Sequence, residues 1–83
     1  NAQNNIAYLY AEGLGVERDY TAAVAWYRKA AEQELPAALF NIGFMYEEGR
    51  GAERNIDEAF RYYRRAAAFG HAEATRILGK AGQ

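Results

Sequence analysis

Few side chains in this chain could do chemistry, and most of those are acids or arginines. The sequence has no Ser and no Cys, and His71 is its one histidine. Ser–His and Cys–His nucleophilic pairs are therefore unavailable within it. A zinc site would need His71 plus several carboxylates, without the HxxxH or CxxC spacing that gathers ligands on one face. His71 reads instead as a polar residue near a turn. Glu47 and Glu48 are adjacent, and adjacent helical side chains diverge, so they make a poor acid–base pair for glycoside hydrolysis. Gly13-Leu14-Gly15 and Gly49-Arg50-Gly51 have neither a preceding strand nor a following Lys-Ser/Thr, which disfavours a phosphate loop and favours structural turns. Phe60-Arg61-Tyr62-Tyr63-Arg64-Arg65 interleaves bases with aromatics, as single-stranded nucleic-acid sites do. On a helix, however, Phe60 and Tyr63 fall on the core face and leave the arginines to solvent. The expectation is no enzyme, no metal and no cofactor, with nucleic-acid binding through Arg61, Arg64 and Arg65 as a weaker alternative.

Bulk composition agrees. A net charge of −1 gives no general attraction to nucleic acid or anionic membrane. Eighty-three residues allow one small domain, and 51% hydrophobic residues are enough to give it a core. No apolar run approaches the ~20 residues that span a bilayer, and no signal-peptide pattern is visible. The absence of Cys removes disulfides and leaves the compartment open.

What the chain has in abundance is repetition. Tyr10, Gly13, Gly15, Ala23, Tyr27, Ala30 and Ala31 recur as Tyr46, Gly49, Gly51, Ala59, Tyr63, Ala66 and Ala67, about 36 positions later. Roughly two positions in five are identical between the copies. A third copy opens near Ala72, with Leu78-Gly79 standing where Ile42-Gly43 stood. This organises residues 1–83 as one helical-repeat domain: repeat 1 over about 1–35, repeat 2 over about 36–71 and a partial repeat 3 over about 72–83. It reads as a piece of a longer array, since stacked repeats bury their faces only against neighbours.

Apolar residues within each copy follow helical spacing: Ile6, Leu9, Tyr10 and Ile42, Met45, Tyr46 on the first helix, then Tyr20, Ala23, Val24, Tyr27 and Ile56, Ala59, Phe60, Tyr63 on the second. The spacing predicts helices at about 3–12, 19–33, 36–48, 55–69 and 72–80. Asp19 and Asn55 are N-caps, and Glu58 after Asn55 suggests a capping box. The paired glycines suggest a left-handed C′ residue followed by a second turn that a Cβ would obstruct. Gly70 ends the fourth helix, Glu34 stands at the matching place of copy one as a longer or strained turn, and Pro36 restarts the chain. The fold class expected is all-α: an α/α superhelix, a right-handed solenoid of antiparallel helix pairs with two full repeats plus one helix. Large Tyr against small Ala fills its seams, and burying Tyr27 or Tyr63 contributes roughly 1.5–3 kcal/mol each.

The pattern Ile42-Gly43-x-x-Tyr46-x-x-Gly49-x-Gly51, then Ala59-x-x-Tyr62-Tyr63-x-x-Ala66-Ala67, resembles the Sel-one-like repeat family, relatives of tetratricopeptide repeats. Copy one reads alike, with Ala7 for Gly43 and Trp26 for Tyr62. Glu34 and Ala52 depart mildly from the pattern. The resemblance implies a protein-interaction scaffold that binds a protein or peptide partner, and it names no particular ligand.

If the stacking follows the tetratricopeptide plan, the first helix of each unit lines a concave groove. The stripe comprises Asn4, Tyr8 and Glu12 in repeat 1, with Ala11 beside them, Phe40, Phe44 and Glu48 in repeat 2, with Glu47 beside them, and Arg76 and Lys80 in the partial third unit. An aromatic floor with a polar rim suits a peptide or partner helix. The bland reading is that Phe40 and Phe44 pack between helices, and exposure decides between the two. Asn5 and Asn41 either hold a peptide backbone or bridge neighbouring repeats. A structural spacer, or self-association through the end helices, is the other alternative.

Overall fold

The computed structural model describes residues 2–81; the outermost limits drawn above, at 1 and 83, lie outside them. Five helices and no strand occur among the described residues: α1 Ala2–Glu12, α2 Tyr20–Ala31, α3 Pro36–Glu48, α4 Ile56–Ala68 and α5 Ala72–Ala81. Each helix packs on the next in chain order, giving a ribbon 39 × 24 × 18 Å. The all-α repeat solenoid expected from the periodicity is what forms.

Local chemistry sets the boundaries. The Asp19 carboxylate accepts the Ala22 N–H at 3.0 Å, and the Asn55 amide oxygen accepts the Glu58 N–H at 3.0 Å, so each caps its helix. The second half of the capping box is missing. The Asn55 N–H donates to the Tyr46 carbonyl at 3.0 Å, and Glu58 instead pairs with Arg61 at 3.3 Å. His71 has a capping role too: its Nδ1 accepts the Ala74 N–H at 3.2 Å at the start of α5.

Helix α2 stops at Ala31, two residues short of expectation. Glu32–Glu34 close as a turn in which the Gln33 and Glu34 N–H groups reach the Ala30 and Ala31 carbonyls at 3.1 and 2.8 Å. Glu34 then takes φ 54°, the left-handed region that costs an L-residue with a Cβ, so the strain foreseen at this turn is real.

The inner loops of the two repeats are superposable in their hydrogen bonds. Leu14 N–H reaches the Leu9 carbonyl at 3.0 Å, as Arg50 N–H reaches that of Met45 at 2.9 Å. Asp19 N–H reaches the Tyr10 carbonyl at 2.9 Å, the equivalent of the Asn55–Tyr46 bond. These are the bonds that turn each helix pair antiparallel.

Tyr27, Leu39, Ile42 and Tyr63 form the bulky part of the core, among the small residues Ala7, Ala23, Ala30, Ala38, Ala59, Ala66 and Ala74. The size alternation is literal at Gly43: a Cβ there would stand 2.7 Å from the Tyr63 ring. Between repeats, the Arg28 guanidinium donates to the Tyr46 hydroxyl at 2.7 Å. That bond fixes α2 against α3.

Candidate partner-binding surface

The inter-repeat seam opens into a pocket of about 120 Å³ lined by Tyr8, Ala11 and Glu12 of α1, Tyr20 and Tyr27 of α2, Asn41, Phe44 and Met45 of α3, and Arg50 of the following loop. Helical spacing explains the convergence. Tyr8, Ala11 and Glu12 stand three and four residues apart on one face of α1, as Asn41, Phe44 and Met45 do on α3. Tyr8 is 50% exposed and Phe44 39%, so both aromatics present surface to solvent.

Three of the eight expected site residues, Tyr8, Glu12 and Phe44, meet at this pocket. Phe40 does not. It is half-buried, its ring stacked on His71 at 4.6 Å and tilted against Tyr63 at 5.3 Å. Glu48, Arg76 and Lys80 are exposed but away from the pocket, and Arg76 is held by both carboxylate oxygens of Glu73 on its own helix. Asn4 is half-buried and likewise lies off the pocket. Of the aromatics in the stripe, Tyr8 and Phe44 line the pocket, together with Tyr20 and Tyr27 of α2.

Arg50 is the residue that sequence reasoning passed over. Its guanidinium lies over the Tyr20 ring at 5.4 Å and the Phe44 ring at 5.7 Å. Copy one has Leu14 at the same place, so the substitution of a cation for an apolar loop residue was the available signal.

Electrostatics mark the two core tyrosines. The Tyr27 phenol is pushed up to about 12 by burial first, then by the charge of Glu12 and by Tyr8. Tyr63 is raised further, by burial first, then by its hydrogen bond to Glu47 and by the charges of Glu47 and Glu48. Its hydroxyl donates to Glu47 Oε1 at 2.6 Å. Both phenols stay protonated near neutral pH, and that of Tyr63 acts as a donor. No group of His, Asp or Glu that could hold a metal ion occurs among the described residues.

Sel1 repeats match residues 1–35 and 36–71. The chain belongs to the Sel1 repeat family. A Sel1 repeat protein from Oxalobacter formigenes is 49% identical over 95% of this chain, with a TM-score of 0.93. The protein c5321, a protective antigen present in uropathogenic Escherichia coli strains and displaying this fold, is 39% identical over 96%, also at 0.93. Helicobacter pylori cysteine rich protein B shares the fold at 23% identity over 93% of this chain, with a TM-score of 0.88. The chain spans 32%, 17% and 58% of these three proteins' lengths. No curated protein matches the sequence. Sel1 repeat proteins are generally protein-interaction scaffolds and typically non-catalytic. Among the described residues, no helix is long and apolar enough to cross a membrane.

Proposed function

We propose that this Sel1 repeat pair is a scaffold that binds a polypeptide partner along the face made by α1 and α3, with the pocket between the repeats as its anchor. What supports the reading is a pair of solvent-facing aromatics, Tyr8 and Phe44, that line one cavity together with charged and polar groups. Aromatic anchors beside a polar rim are the composition of binding hot spots. Peptides selected by display against the folded chain test it. Phe44→Ala and Tyr8→Ala should each weaken the selected peptides about tenfold or more while helicity is retained. Peptides that ignore both substitutions would sink the proposal.

A second reading, self-association through the ends, rests on its own observation. Leu9, Leu14, Val16 and Phe69 are exposed, and the spaces beside Gly15 and Gly79 are open. Concentration-dependent sedimentation abolished by Phe69→Ser or Leu9→Ser would favour it over the groove. The outward Arg61, Arg64 and Arg65 support nucleic-acid binding less, because Arg61 pairs with Glu58 and Arg65 lies over the Tyr62 ring.

A further inference from the structure

The two repeats differ at one place that bears on what the pocket takes. In repeat 2 the core tyrosine satisfies its hydroxyl internally, Tyr63 donating to Glu47 at 2.6 Å. The residue of repeat 1 that corresponds to Glu47 is Ala11, and Ala11 lines the pocket beside Tyr27. Among the described residues nothing accepts a hydrogen bond from the Tyr27 hydroxyl, which keeps some solvent contact although the residue as a whole is 2% exposed. Repeat 1 thus holds the donor of the pair and, where its carboxylate would sit, a cavity.

The remaining lining suits the same ligand. Asn41 and Arg50 also line the cavity, neither with a hydrogen bond or ion pair to another described residue, and the Arg50 guanidinium is steadied by the Tyr20 and Phe44 rings. Glu12 is the one acid of the lining. Its counterpart Glu48 acts on Tyr63 by charge alone while Glu47 makes the hydrogen bond, so repeat 2 tolerates a second carboxylate within electrostatic reach of its tyrosine. About 120 Å³ is near the roughly 150 Å³ of a cavity that admits one benzene, the scale of a single side chain and far below that of a helix.

We infer that the pocket between the repeats binds the side-chain carboxylate of a glutamate from the partner polypeptide, which takes the place in repeat 1 that Glu47 fills in repeat 2. Tyr27 and Asn41 donate to it, Arg50 supplies the opposite charge, and Tyr8 and Phe44 flank its aliphatic stem. The inference rests on the groove reading and adds to it the chemistry of the anchor residue.

The test is an NMR titration of the whole chain with N-acetylglutamate N-methylamide, whose one carboxylate is on the side chain. Two controls run beside it: the neutral N-acetylglutamine N-methylamide, and N-acetylalanine, whose one carboxylate is C-terminal. The expected result is saturable shifts at the Ala11 and Phe44 amides and the Asn41 side-chain amide with the glutamate probe, and at least about tenfold weaker responses to both controls. Tyr27→Phe and the exposed-site change Arg50→Gln should each weaken the glutamate probe about tenfold. Ala11→Glu, which supplies the carboxylate in cis, should abolish its binding. Equal shifts from the glutamine probe, a stronger response to N-acetylalanine, or no saturable shift at these amides would each overturn the inference. Groove peptides that are weakened by Phe44→Ala yet indifferent to Tyr27→Phe would remove it while leaving the groove itself standing.

Discussion

A Cβ built on Gly51 would lie 2.2 Å from the carbonyl oxygen of Tyr20, so the second glycine of the repeat-2 loop is pressed against the start of α2 in repeat 1. Gly51 also has φ 74°. Its twin Gly15, at φ 78°, meets nothing within 4 Å. One glycine therefore serves both backbone conformation and inter-repeat contact, and the other serves conformation alone. Gly15→Ala should cost about 1–2 kcal/mol for the left-handed residue. Gly51→Ala should cost more, because the Tyr20 backbone has to move as well, and urea denaturation of the two variants measures the difference. Equal losses would show that the loop is not pressed on α2.

Glu34 invites the opposite change. With φ 54° it sits where repeat 2 has Gly70 at φ 91°. Glu34→Gly should stabilise the chain by up to about 1 kcal/mol, the left-handed penalty relieved minus the larger unfolded-state entropy of glycine. Thermal unfolding reads it directly, and a lower midpoint would show that the Glu34 side chain contributes more than its backbone costs.

The incomplete capping box separates two neighbouring residues. Asn55→Ala removes the acceptor for the Glu58 N–H and should cost about 1 kcal/mol. Glu58→Ala removes only a solvent-side pair with Arg61 and a favourable charge at the helix start, and should cost about 0.5 kcal/mol or less. A working capping box would instead make the two losses similar in denaturant titrations.

The buried phenols predict alkaline sensitivity. The folded state raises Tyr27 from 10.0 to about 12 and Tyr63 further, so folding favours their protonated forms. Their contribution is fully present below the unfolded value of 10.0 and is lost as pH rises through the folded values. Stability should therefore fall steeply above pH 10, with tyrosinate absorbance appearing together with loss of helicity. Tyr27→Phe should flatten this fall, and a variant as alkali-sensitive as the parent would place the titrating group elsewhere.

Most of the fold was legible in the sequence because repetition doubles every signal. The glycine pairs, Asp19 and Asn55, and the Tyr–Ala alternation each appear twice, and each sets local geometry by short-range sterics or hydrogen bonds. Helical spacing predicts α2 to run two residues further than it does, since Glu32 and Gln33 have nothing against helix, and only the left-handed Glu34 stops it.

By itself, the sequence determined which residues share a helix face: the stripe running through Tyr8, Glu12, Phe40 and Phe44. Tertiary structure alone decided which members of that stripe meet. A periodic pattern specifies direction from a helix axis, but what covers that direction depends on how neighbouring repeats stack. Stacking turned Phe40 onto Tyr63 and His71, brought Phe44 opposite Tyr8, and laid Arg50 over Tyr20 from a loop thirty residues on. The exchange of Glu47 for Ala11 is visible in the sequence, yet only the stacked structure shows that Ala11 lines a cavity together with Tyr27.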